Sequence, residues 1–77
     1  MTNANYRIEK MEITEKANGM IFGIALGHNE NANMWVTWCV KVNESNTDEI
    51  EFFWGHYYER EKDALINYHQ RIVDDLK

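Results

Sequence analysis

Between Trp54 and Tyr58 the side-chain period of the chain changes, and that change restricts the fold more than any other feature. Upstream, Ile50, Phe52, Trp54 and His56 alternate with Glu51, Phe53 and Gly55, the period of a strand. From Glu59 to Leu76 the apolar residues Ala64, Leu65, Tyr68, Ile72 and Leu76 fall at spacings of one, three, four and four, which draws one stripe along a helix. A stripe of that width has to be buried against another layer, and in 77 residues the layer is the segment before it.

That segment reads as strands and turns. Asn18-Gly19 is the pair best suited to the two positive φ angles of a type I′ hairpin turn. Pairing Ala17 with Met20 sets Glu15 against Phe22, Ile13 against Ile24 and Met11 against Leu26, so one face becomes apolar. Tyr6 and Ile8 are out of phase with Met11 and Ile13, which predicts a bulge near Glu9-Lys10. His28 to Asn33 is rich in asparagine and reads as a loop. Met34 to Val42 is the next strand, with Met34, Val36, Trp38, Val40 and Val42 on one side and Trp35, Thr37, Cys39 and Lys41 on the other. After the turn-forming run Asn43 to Asp48, the fourth strand follows in a register that pairs Val42 with Ile50, Val40 with Phe52 and Trp38 with Trp54.

The expected fold is therefore α+β over residues 1–77 as a single domain: a four-stranded antiparallel β-meander with one C-terminal α-helix packed on one face, in the order ββββα. The helix is expected to cover the Trp38 row, with His56 ending that inward row and its ring fixing the strand-to-helix corner. Trp35 and Phe53 then point away from the helix, near Ile21, Cys39 and Ala25. No good cap precedes the helix, since Glu59 stands where serine or aspartate is preferred. Glu59, Glu61 and Asp63 suit its positive end, and Arg71 and Lys77 its negative end, against Asp74 and Asp75.

Composition narrows the function classes. Asp and Glu number 13 against 8 Lys and Arg, a net charge of −5 that repels nucleic-acid backbones, and the basic residues form no stripe. One cysteine, Cys39, makes no intramolecular bridge, and the N-terminus lacks the basic start and apolar run of a leader, so a cytoplasmic location is expected. No apolar stretch is long enough for a membrane span.

Trp54-Gly55-His56-Tyr57-Tyr58, followed by Ala64-Leu65, Tyr68 and Arg71, resembles small uncharacterised proteins of Gram-positive bacteria and their phages. The resemblance covers Trp35 to Arg71. It implies the strand-to-helix junction and carries no assigned activity.

Neither catalysis nor cofactor binding is expected. His28, His56, His69 and Cys39 are the only soft metal ligands, and no two have the tight spacing of a zinc site. Glu49 and Glu51 alternate with the strand and cannot face one another as paired carboxylates. Gly19, Gly23, Gly27 and Gly55 open no phosphate-cradling helix. The expected function is a non-enzymatic protein-interaction module that self-associates as a homodimer or binds another protein. Its interface would be Trp35, Phe53, Ile21 and Cys39 on the reverse of the sheet, or a free sheet edge. Two alternatives stand beside it. An acidic inhibitor of phage type would imitate nucleic acid with Glu44, Asp48, Glu49, Glu51, Glu59, Glu61 and Asp63. A small-ligand or metal binder is the other.

Overall fold

The computed structural model describes residues 1–76. Its strands are β1 (Thr2–Asn3), β2 (Tyr6–Ala17), β3 (Met20–Asn29), β4 (Met34–Asn43) and β5 (Asn46–Tyr58), and α1 (Glu61–Asp75) follows. The strands form one antiparallel sheet in sequence order, so the fold is an α+β meander with a C-terminal helix. Five strands replace the four expected. The extra one, β1, is two residues long and is folded back on Tyr6 and Arg7 by Ala4 and Asn5, both at positive φ. A strand that short has no alternation to read. No helix among the described residues is long and apolar enough to cross a membrane.

The Asn18-Gly19 turn has φ values of +54° and +78° and joins Ala17 to Met20, as its chemistry requires. The β4–β5 turn is tighter than the asparagine run implied: Asn43 pairs with Asn46, and the Asn43 Oδ1 accepts from the Ser45 amide at 2.9 Å. The loop after β3 is held in the same way, with the Asn29 Oδ1 accepting from the amides of Asn31 and Ala32.

Besides the register shift between Val42 and Asn43 beside the β4–β5 turn, three bulges decide which side chains share a face. One lies between Ile8 and Lys10, where the phase of Tyr6 and Ile8 placed it. A second makes Thr14 the extra residue of β2, its hydroxyl donating to the Phe22 carbonyl at 3.3 Å. Upstream of Thr14 the pairs become Ile13 with Gly23 and Met11 with Ala25, which removes Met11 from the face of Ile24 and Leu26 where an unbroken register would have put it. The third sets Trp54 and Gly55 together opposite Trp38, because Cys39 pairs with Phe53 but Thr37 pairs with His56.

The helix lies on the opposite face from the one expected. Ile24 and Leu26 of β3 pair with Cys39 and Thr37 of β4, and these two strands receive Ala64 and Tyr68 of α1. Trp35, Cys39 and Tyr58 pack at the margins of that cluster, along with Leu65 and Ile72 of the helical stripe. Leu76 falls past the end of the helix and is exposed. The other face, with Ala25, Val36, Trp38 and Val40 at its centre, has no helix over it and is nevertheless buried.

Curl of the sheet explains this. Tyr6 of β2 and Tyr57 of β5 lie on strands three steps apart, about 14 Å in a flat sheet, yet their ring centroids are 6.0 Å apart. The Trp38 indole lies beside this pair, meeting Tyr6 edge-on at 5.7 Å and Phe52 at 5.3 Å. The indole has room because Gly27 of β3 and Gly55 of β5 lie against its ring. A Cβ on Gly27 would stand 2.8 Å from Trp38 Cζ3, and one on Gly55 would stand 3.0 Å from its Nε1.

A polar link fixes the helix over β4. Thr37 is fully buried, and its hydroxyl donates to Asn67 Oδ1 while accepting from Arg71 Nη1 at 3.0 Å. The same Nη1 donates to the Thr37 carbonyl at 3.1 Å. Arg71 is thus drawn into the sheet contact instead of serving the helix end, and the last turn of α1 has no basic residue. Lys77 lies outside the described residues. At the other end, Arg60 is the N-cap and its side chain makes no capping bond, in keeping with the poor cap read from the sequence.

Two outcomes test this packing. Gly27→Ala should cost about 1–3 kcal/mol in chemical denaturation, because Trp38 is only 4% exposed and cannot swing aside. Burial, with the Glu12 charge adding to it, raises the Tyr68 phenol above its ordinary value of 10.0. The native state therefore holds that proton more tightly than the unfolded chain does. The stability Tyr68 contributes is full below pH 10 and is lost as pH rises through the raised native value. Tyr68→Phe should accordingly lose less stability between neutral and strongly alkaline pH than the wild type does.

Candidate binding groove

Two of the three bulges meet at the C-terminal end of α1. There the sheet and the helix enclose an open groove of about 320 Å³. β2 contributes Thr14 and Glu15 from its bulge, β3 contributes Phe22, β4 contributes Cys39, β5 contributes Phe53 and Trp54, and α1 contributes Asp75. Gly23 borders it where β2 passes so close that a Cβ would lie 2.3 Å from the Glu12 carbonyl oxygen.

Trp54 is the unusual residue. Its φ is +54°, the left-handed region that an L-residue enters at a cost of about 1–2 kcal/mol and that glycine fills in bulges of this type. Its side chain nevertheless gains little burial, since Trp54 is 73% exposed. The ring meets Phe53 edge-on, with centroids 5.1 Å apart and planes at 78°, so the two form an open aromatic corner. Strained backbone that presents a large apolar ring to solvent is the kind of outlier from which a binding role is inferred.

Below the corner, the Cys39 Sγ accepts from Arg71 Nη2 at 3.0 Å, so the cysteine is joined to a guanidinium and not to a histidine. His28 is stacked on Trp35 with centroids 3.8 Å apart, and its Nδ1 is 3.9 Å from Glu9 Oε1 while its Nε2 is buried without a partner. His69 packs against the Tyr68 ring at 5.3 Å, and His56 is exposed on β5. The expectation that His56 closes an inward row is corrected, because the Trp54 bulge shifts the phase of the strand beyond it. Among the described residues no three metal-ligating side chains come together.

The four residues expected to share an exposed reverse face do not do so. Trp35 and Cys39 pack against the helix-side core, and Phe53 lies on that same side, in the groove. Ile21 pairs with Val42 on the opposite face. The β3–β4 register, which pairs Ile24 with Cys39, is what separates them.

The acidic residues divide as well. Glu44, Asp48, Glu49 and Glu51 sit near the β4–β5 turn, whereas Glu59, Glu61 and Asp63 surround the start of α1. Seven residues of β5, Phe52 to Tyr58, separate Glu51 from Glu59, a span of roughly 25 Å for extended chain. Lys41 pairs with Glu51 at 3.6 Å and Arg60 with Asp63 at 3.2 Å.

Strict alternation places Trp54 inside, whereas the bulge turns it out to the rim of the groove. The signal available was Gly55, since a glycine inside a strand often marks a bulge or the close approach of another group. Compared with known proteins, the chain matches no family model, no curated protein and no solved structure.

Trp54→Asn tests the strain directly. Asparagine tolerates the left-handed region, and that relief offsets the lost contact with Phe53, worth about 0.5–1.5 kcal/mol. Stability measured by denaturant should stay within about 1 kcal/mol of wild type, whereas Trp38→Ala should lose about 3–5 kcal/mol.

Proposed function

We propose that this chain is a non-enzymatic protein-interaction module, and that it engages its partner through the groove beside Trp54. The observation that carries this reading is the left-handed, 73% exposed tryptophan at the rim. Tryptophan is prominent among the residues that dominate binding energy at interfaces, and here the backbone sacrifices stability to display it.

Other routes to association have less support. The free edge of β5 carries Glu49 and Glu51 and is broken by the Trp54 bulge. β1 covers only the start of β2, and the rest of that edge carries Lys10, Glu12 and Lys16 and two bulges. Charges and bulges are the devices that keep sheet edges from pairing. The accessible surface is 5125 Å², close to the roughly 4,900 Å² of a monomer of this mass. The partner is another protein or a second copy of the chain.

A random peptide library selected against the wild-type chain and against Trp54→Asn tests the reading. Enriched peptides should bind the wild type and lose about tenfold or more in affinity for the variant. Absence of enrichment, or equal binding to both proteins, would contradict it.

A further inference from the structure

The groove differs from an ordinary apolar slot in its charge. Glu15 and Asp75 both line it, and among the described residues neither carboxylate has an ion pair or a hydrogen bond. Asp75 also closes α1 at the negative end of the helix dipole, in a last turn without a basic residue. Two cations stand on the same face: Lys41, opposite Phe22, pairs with Glu51 at 3.6 Å, and Arg71 donates to the carbonyl and hydroxyl of Thr37 and to the Cys39 sulfur. Among the described residues neither forms an ion pair with Glu15 or Asp75, whose carboxylates border the perpendicular rings of Phe53 and Trp54, with Phe22 two strands away on β3.

We infer that the groove accepts an arginine or lysine side chain carried on an extended segment of a partner protein. The inference rests on the binding role proposed for the groove and names the chemistry of its occupant. Aromatic faces attract a cation through their quadrupole, and the attraction strengthens where water is partly displaced. The carboxylates at the rim then meet the charged head, and the rings meet the aliphatic stem. With a net charge of −5 the whole chain favours the approach of a basic segment. Guanidinium stacks on rings and bonds carboxylates in a planar fork, so arginine should bind more tightly than lysine.

The test uses three short blocked peptides that differ at one position: arginine, lysine or uncharged norleucine. Each is titrated into the full chain while the Trp54 indole and Phe53 signals are followed by NMR. The arginine peptide should shift those signals saturably and bind roughly 2- to 30-fold more tightly than the norleucine peptide. Adding salt, or the double change Glu15→Gln and Asp75→Asn, should weaken the arginine peptide and leave the norleucine peptide unaffected. Equal or tighter binding of norleucine at the same signals would overturn the cation inference while leaving the groove as a binding site. Failure of all three to move the Trp54 signal would overturn both. Binding that shifts signals elsewhere, with Trp54 unmoved, would also overturn the inference.

Discussion

The packing of the Trp38 indole between Gly27 and Gly55 is the contact on which the rest of this structure depends. An indole standing on β4 needs space above both neighbouring strands, and two residues without side chains provide it. Tyr6, Phe52 and Tyr57 then close over the ring as the sheet curls, and one face of the sheet is buried without any second layer. Because that face is satisfied, the helix is free to take the other one. There Ile24, Leu26 and the buried Thr37 receive Ala64, Tyr68, Asn67 and Arg71.

The same geometry produces the groove. Keeping Gly55 against the indole requires an extra residue in β5, and that residue is Trp54, turned into left-handed backbone and out toward solvent. The Thr14 bulge in β2 opens the opposite wall, and the end of α1 supplies Asp75 between them. Core packing and the display of the rim tryptophan are therefore one arrangement. Strain of about 1–2 kcal/mol at Trp54 is a sizeable fraction of the stability of so small a domain, which is why a role outside folding is the reading supported.

Much of the fold was legible in the residues. The Asn18-Gly19 hairpin, the break near Glu9, the long strand from Met34 and the C-terminal helix all follow from local chemistry, and local chemistry does not depend on what packs where. The side of the sheet that the helix covers was not legible, because it rests on two terms of longer range. One is the β3–β4 register, set across the loop after Asn29. The other is sheet curl, by which aromatic rings three strands apart come into contact. Bulges at Thr14 and Trp54 compounded this, since one inserted residue inverts every side chain beyond it. Alternation along β4 holds, with Trp35, Thr37 and Cys39 on one side and Trp38 on the other; the exposed interface expected at Trp35 and Cys39 fails because the helix packs on their side of the sheet.

The arrangement of faces is tested most directly by proton–proton NMR contacts from the Trp38 ring. Cross-peaks to Tyr6, Phe52, Gly27 and Gly55, with none to Ala64 or Tyr68, together with contacts from Ala64 and Tyr68 to Ile24 and Leu26, are the result this account predicts. Cross-peaks between the Trp38 ring and α1 would contradict it, for they would put the helix over the indole and remove both the self-closed face and the reason for Trp54 to stand at the rim.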